Sequence, residues 1–359
     1  MHPRVGIIYL CHGNLRHLPE VVSSLAALDF PHDRLSVMMI PNGSPDGITK
    51  EIQEKVLPRS KKDLPEIILH DDGVNHGFAT ANNIGIRWAI ENNFDYVFLH
   101  NGDLHLHPSA ITEAVALAQS DLRIGSVQSL VTYWHDHQKV NVSGGMIHVA
   151  GYGFARDNGR LLADLNYDNG AEINYASGAA VVYRVSALKE VGLLEEGFQM
   201  YHEDLELGLR LRLSGYRNAL CTKSLAYHDY SFSRNPKKFA WMELYRWVVV
   251  KSYFKFFTLF LLLPLLLAIE AGTWMMALRG GWLKAKLWAF GQWFNPATWK
   301  LLFAMRRRVK RLRKISDQEL LRLFTGSIEA QETSNSWMDK VINPAVEQAW
   351  QAAYKLIRW

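Results

Sequence analysis

Glu203 and Asp204 stand side by side at the head of an apolar-periodic stretch that carries Arg210 and Arg212 on its later turns. A carboxylate in such a place can take the proton from an attacking hydroxyl. The same acids also suit a helix N-terminus for structural reasons alone, because they offset the macrodipole. Upstream, Asn101-Gly102-Asp103 closes a strongly apolar run. Side-chain oxygens there can hold a hard cation such as Mg2+ or Mn2+, which shares its shell with phosphate and water. Alone, Asn-Gly-Asp is equally a plain turn. His228 follows in Ala226-Tyr227-His228-Asp229. Together the three segments suggest a base, a metal ligand and a second metal ligand around one cleft. That set suits displacement of a diphosphate, whose growing negative charge must be stabilised as it leaves.

These residues need a scaffold that brings them together. Residues 5–10, 34–40, 67–70 and 96–100 read as short buried strands, and 17–28, 48–56 and 79–92 as helices between them. Alternating strands and helices imply an α/β fold with a mostly parallel sheet. Ligands of such sheets bind at the carboxyl ends of the strands. The loops starting at Cys11, Pro41, Asp71 and Asn101 all lie at that edge. Further on, 176–184 reads as a strand, 185–191 as a helix, and 203–214 as a helix stopped by Gly215.

With 48% hydrophobic and 21% charged residues among 359, the chain can build a sizeable core, so disorder is not expected. Cys11 and Cys221 are the only cysteines. They make no disulfide framework and no zinc spacing, which fits a reducing compartment. The N-terminus lacks the apolar length of a signal peptide and reads as a first strand. From about Phe239 the composition shifts. Residues 256–278 are almost wholly apolar, tryptophans crowd 241–299, and Arg306–Lys314 is densely basic. The apolar run is long enough to span a bilayer. A single crossing would put the basic run on the side opposite the N-terminal domain, against the positive-inside tendency. Helices lying in the interface or re-entrant, with tryptophans at headgroup level, resolve this; a spanning hairpin is the alternative, and an ordinary core helix stays open. The basic run adjoins an apolar segment and not an aromatic-interleaved groove, so nucleic acid is not an expected partner. Three regions result: a catalytic domain at 1–235, aromatic-rich membrane-associated helices at 236–314, and amphipathic helices at 315–359.

In ordered blocks over its first two-thirds, the chain resembles inverting glycosyltransferases of family 2, which have the GT-A fold. The blocks are Pro41-Asn42-Gly43-Ser44-Pro45-Asp46-Gly47, Asn75-His76-Gly77-Phe78 through Asn82-Asn83-Ile84-Gly85, Asn101-Gly102-Asp103, Ser177-Gly178-Ala179-Ala180, and His202-Glu203-Asp204 with the Arg210/Arg212 helix, closed by His228. The subgroup resembled includes rhamnosyl- and galactofuranosyl-type transferases of polysaccharide assembly.

The resemblance implies a UDP- or dTDP-linked sugar donor and Mg2+ or Mn2+. Asp103 and His228 would be metal ligands, although His228 considered alone is a polar loop histidine. Asp204 would be the base, with Glu203 as the alternative or as a neighbour that raises its basicity. Cys11, Asn42, Gly77, Asn83 and Asn101 would line the donor site. Asn42 is equally a turn residue and Asn83 equally a structural support. Arg210 and Arg212 are expected to ion-pair locally, with phosphate contact as the sharper option. The implied acceptor is a lipid-linked saccharide, met at an anionic membrane surface on its cytoplasmic face. Two departures stand out: Pro41 and Asn101 each replace an Asp of the family pattern. They motivate a second reading, a catalytically weakened nucleotide-sugar-binding scaffold.

Overall fold

The computed structural model describes residues 2–230, 235–328 and 338–359. Four strands, β1 (Val5–Leu10), β2 (Leu35–Ile40), β3 (Glu66–Leu69) and β4 (Tyr96–Asn101), pair in parallel in the order β3-β2-β1-β4. Every residue of β1 and β2 is buried. Such continuous apolar runs are what a parallel sheet needs when both its faces are covered. The crossovers carry α1 (Leu18–Ala26), α2 (Ile48–Glu51, continued by a wider turn to Val56) and α3 (Gly77–Glu91).

Beyond β4 the sheet becomes mixed. The next elements are β5 (Leu104–Leu106), α4 (Ala110–Ser120), β6 (Ile124–Tyr133), β7 (Asp136–Val142), β8 (Gly145–Ile147), β9 (Gly153–Ala155) and β10 (Glu172–Ile173). They are followed by β11 (Ala180–Arg184), α5 (Val185–Val191), α6 (Glu203–Leu213) and β12 (Arg217–His228). β11 enters antiparallel between β4 and β6, and β12 runs parallel to β6. Among the described residues the sheet has ten strands along β10-β12-β6-β11-β4-β1-β2-β3, with β5 on β12 and β7 on β6. Strands β5 to β10 and β12 have no counterpart in the sequence reading. β6 hides its period because its buried residues include polar ones. Ser126 donates to Asn218 Oδ1 (2.7 Å), and the Ser129 and Ser224 hydroxyls pair at 2.7 Å.

The rest is helical: α7 (Pro236–Tyr253), α8 (Phe256–Arg279), α9 (Leu283–Gly291), α10 (Pro296–Leu312), α11 (Asp317–Leu321) and α12 (Asn343–Tyr354). Leu244, Val248, Leu262, Met305, Val309, Leu320 and Trp350 join the same core as Ile8 and Leu99. α8 is tied down near both ends. Thr258 donates to Asp317 Oδ2 (2.5 Å) and accepts from Trp359 Nε1 (2.8 Å). Glu270 pairs with Arg246 of α7 and with Lys286 of α9 (3.0 Å). The other side of α8 shows Phe256, Phe257, Phe260 and Leu267 to solvent.

Candidate active site

The segment Ser177-Gly178-Ala179, just before β11, joins the two halves of the site. Its Gly178 N–H donates to Asp204 Oδ2 (3.2 Å), and the next carbonyl, of Ala179, accepts from Asn101 N–H (3.1 Å). Asp204 and the Asn101–Asp103 turn are therefore held by consecutive residues of one segment. Gln128 of β6, fully buried, fixes that segment: its Oε1 accepts from Ser177 N–H (2.5 Å) and its Nε2 donates to the Ala180 carbonyl (3.1 Å). At Gly178 a side chain would need Phe78 to move. A Cβ there would lie 2.8 Å from the Phe78 ring, which reaches in from the start of α3.

α6 delivers the acids. Tyr201 and His202 precede it with φ of 63° and 71°, a left-handed conformation unusual for two successive side-chain-bearing residues. The His202 ring holds this turn by donating from Nε2 to the Gly151 carbonyl (3.1 Å). Burial drives its pKa down to about 4, so the ring is neutral. Asp204 is half-buried and accepts a second hydrogen bond, from Leu205 N–H to Oδ1 (2.7 Å). Burial raises its pKa, and the backbone N–H bonds only partly oppose this. Glu203 is buried, with Oε2 lacking any partner. Burial, and then the charge of Asp204, push its carboxyl well above the ordinary range. The structure thus separates the two acids: Asp204 is open to a hydroxyl, and Glu203 lies beneath it.

Asp103 faces His228 across the β5–β12 ladder. Its Oδ1 lies 3.1 Å from His228 Nε2, and the pairing of His228 with Leu104 sets the register. His228 Nδ1 meets Asn141 Oδ1 at 3.0 Å. With that oxygen as acceptor, Nδ1 carries the proton. Nε2 then faces the carboxylate either protonated or as a lone pair shared with a cation. Burial alone would raise the Asp103 pKa, but the hydrogen bond and charge of His228 outweigh it and hold the carboxyl low. The Asn101 side chain makes no hydrogen bond among the described residues.

The loops after β1, β2 and β3 are knitted together by residues expected to touch the donor. Asn42 (φ 52°) is buried; its Oδ1 accepts from His76 N–H (2.9 Å) and its Nδ2 donates to Asn75 Oδ1 (3.3 Å). Asn83 is buried too. It donates to the Leu194 carbonyl (2.9 Å) and Glu196 Oε1 (2.8 Å) and accepts from Leu194 N–H (3.1 Å), so α3 is fastened to the 194–196 segment. The Cys11 thiol turns inward toward the Ile40 carbonyl at 3.6 Å, and burial raises its pKa far above the usual thiol value. The polar atoms of these three side chains are engaged within the protein, so in this structure they support the loops, the alternative that the sequence left open for Asn42 and Asn83. Gly77 opens α3 with φ of 74°, its N–H donated to Asn75 Oδ1 (2.9 Å).

A family profile described as "Glycosyltransferase like family 2" matches residues 3–249. The chain belongs to this family, and it is a glycosyltransferase. A search of curated proteins finds no match. Among solved structures, this glycosyltransferase is similar to S. aureus TarS 1-349 in complex with UDP-GlcNAc, at 16% identity and a TM-score of 0.53, covering 97% of this chain and 92% of that one. It is also similar to the mannosyltransferase PcManGT from Pyrobaculum calidifontis in complex with GDP-Man and Mn2+, at 14% identity and a TM-score of 0.51, covering 87% of each chain. At such identities the likeness is one of fold: a GT-A-type sheet followed by helices.

Among the described residues, no group of three or more His, Cys, Asp or Glu side chains converges as a cation cage. Asp103 and His228 do fit a pair of ligands. Ligands about 2.1 Å from an ion and at right angles lie about 3 Å apart, close to the observed 3.1 Å. The rest of a shell would fall to Asn101, phosphate oxygens and water. Sequence reasoning missed Gln128, Asn141 and Gly151, which set the geometry of the site. Nothing local marks them, because their role exists only through partners far along the chain.

Proposed function

We propose that this glycosyltransferase moves a sugar, with inversion, from a UDP- or dTDP-linked donor to a hydroxyl of a lipid-linked saccharide at a membrane surface. The observation that carries the reading is the joining of Asp204 and the Asn101–Asp103 turn through the consecutive residues Gly178 and Ala179. On this reading a base stands on one side of the segment and the diphosphate site on the other, with the transferred sugar bound between them. Asp204 takes the proton from the attacking hydroxyl. Its raised pKa makes it a stronger base than an exposed aspartate. Its hydrogen bonds from Gly178 and Leu205 hold the carboxylate in place before substrate arrives.

Asp103 and His228, with Asn101 beside them, would hold Mg2+ or Mn2+. When bound, the ion supplies charge stabilisation to the departing diphosphate. Asn141 orients His228 for that role. The TarS structure named above is in complex with UDP-GlcNAc, and the PcManGT structure with GDP-Man and Mn2+. These complexes support a nucleotide-sugar donor and a divalent ion here.

The membrane part of the reading is supported by α8. It is 24 residues long and apolar enough to span, with only 17% of its most apolar window buried. Its ties at Thr258 and Glu270 favour a helix lying along the body and embedded in the interface, on the cytoplasmic face, over one that crosses. The test is nucleotide release from a panel of UDP- and dTDP-sugars with Mn2+ and lipid-linked saccharides. Turnover that disappears in Asp204→Asn is expected. Donor binding without turnover across the panel would favour the scaffold.

A further inference from the structure

We propose that an open cavity where α7 passes into α8, walled by α10, seats the phosphate headgroup of an anionic membrane lipid whose acyl chains lie along the exposed faces of α8 and α10. This rests on the membrane reading above and names the chemistry recognised there.

The cavity holds about 600 Å3 and is lined by Lys255, Lys300, Arg306, Arg307 and Lys310, with Phe303 among them. None of these five cations forms an ion pair among the described residues. Their neighbours differ. Arg308 turns inward to Glu195 and Glu206, and Arg313, which follows α10 and also lines the cavity, is occupied by Asp317 (2.7 Å) and the Tyr253 carbonyl. α10 therefore turns Arg308 inward, where it is neutralised, and leaves Lys300, Arg306, Arg307 and Lys310 without an ion pair among the described residues. The helix pattern enforces the division: Leu302, Met305, Val309 and Leu312 face the core, which leaves Lys300, Phe303, Arg307 and Lys310 on the opposite side.

Among the described residues no carboxylate lines this cavity; Asp317, bonded to the lining residues Lys255 and Arg313, is already spent on Lys255 N–H (2.8 Å), Thr258 and Arg313. Cations gathered without counter-charge around a concave surface repel one another, and a bound anion relieves that repulsion. The source of the anion is argued from what borders the cavity. Phe256, Phe257 and Phe260 of α8 and Phe303 of α10 are 69%, 66%, 69% and 53% exposed. An apolar ledge beside a basic cavity matches a molecule with a phosphate at one end and hydrocarbon at the other, and does not match free phosphate or a nucleic acid. Arginine adds bidentate recognition of phosphate oxygens to the simple attraction of lysine.

The experiment is co-sedimentation of the full chain with vesicles of phosphatidylcholine alone or with 30% phosphatidylglycerol, at low and physiological salt. The triple variant Lys300→Gln/Arg307→Gln/Lys310→Gln is compared with a control, Lys284→Gln/Arg311→Gln, which removes exposed cations outside the cavity. At about fivefold per basic residue near an anionic surface, the triple variant should bind phosphatidylglycerol vesicles roughly a hundredfold more weakly. The control, whose cations lie outside the cavity, should lose clearly less per charge removed. Unchanged binding by the triple variant overturns the proposal. Equal loss per charge in control and triple variant also overturns it, since attraction would then be spread over the surface. Displacement of the protein from vesicles by millimolar inorganic phosphate or by short RNA would show a general anion site and likewise overturn it. Transfer to a water-soluble acceptor by the triple variant, measured in parallel, keeps this outcome separate from failure of the enzymatic reading.

Discussion

Glu203 and Asp204 are neighbours of nearly the same chemistry, and only their surroundings give them different work. Asp204 → Asn should lower kcat by about 10^2 to 10^4, the usual worth of a positioned base, while donor-induced thermal stabilisation stays close to that of the parent. Wild-type turnover by this variant would remove the base assignment. Glu203 should show itself in stability. Its folded pKa is raised by burial and by Asp204, whereas the unfolded carboxyl titrates near about 4.3. Below that pH both states hold the proton and stability is complete. Above it the unfolded chain releases the proton first, so stability falls as pH rises until the folded group ionises as well. Glu203→Gln should flatten this slope, raising Tm at pH 9 by about 3 °C or more relative to the parent and changing it little at pH 4. Parallel melting curves for the two proteins across that range would contradict a strained buried carboxyl. If Asp103 and His228 hold the ion as proposed, Mn2+ should add to the donor-induced Tm shift, and Asp103→Ala should abolish that addition. Type and spacing singled out Asp103, Asp204 and His228 in the sequence; the structure sets Asp103 Oδ1 3.1 Å from His228 Nε2 and hangs Asp204 on the Gly178 N–H. Asn42 and Asn83 were not separable from ligand contacts, because an amide that ties two loops and one that grips a nucleotide look alike until their partners are known.

α6 carries much of the consequence at the scale of elements. Its first turn presents the acids, and its later turns are buried against the helical extension. Arg210 and Glu206, both fully buried, pair one turn apart, and Glu206 also takes a hydrogen bond from Tyr253 (2.6 Å) and a contact from Arg308 (3.3 Å). Arg212 donates to the Leu320 carbonyl (2.7 Å). Local ion-pairing is thus the role that the structure gives both arginines, Arg210 with Glu206 and Arg212 with Glu172 (3.7 Å). Arg210→Ala leaves Glu206 with less compensation for its buried charge and should cost about 3–5 kcal/mol, read from urea midpoints. Replacing both Arg210 and Glu206 with apolar residues of similar volume should cost much less. Equal losses in the single and double variants would mean that the pair is not an isolated electrostatic unit. The parallel strands were readable from their apolar runs. β6 and β12 were not, since a long-range ladder of serines and asparagines satisfies buried polar atoms that look solvent-facing in sequence.

For the whole molecule, α8 poses a contradiction that a soluble surface does not explain. A helix fixed to the body by Thr258 and Glu270 and packed through Leu262 and Leu266 still leaves a broad aromatic face uncovered. Its apolar composition was evident from the sequence. Its attachment was not, because Glu270 reads as an interruption of an apolar run until Arg246 and Lys286 are seen to meet it. The two faces should respond oppositely to mutation. Phe256→Ser/Phe257→Ser/Phe260→Ser removes side chains that are mostly in solvent, so Tm should stay within about 2 °C of the parent. Each phenylalanine is worth about 1.5–3 kcal/mol when transferred to an apolar medium, so the same variant should move from the membrane pellet to the supernatant on cell fractionation. Leu262→Ala/Leu266→Ala should do the reverse, costing several kcal/mol of stability through the cavities left behind while the surviving folded protein still pellets with membranes. If the triple serine variant unfolds and stays in the pellet, the aromatic face is covered by protein, and the interfacial placement of α8 fails with it.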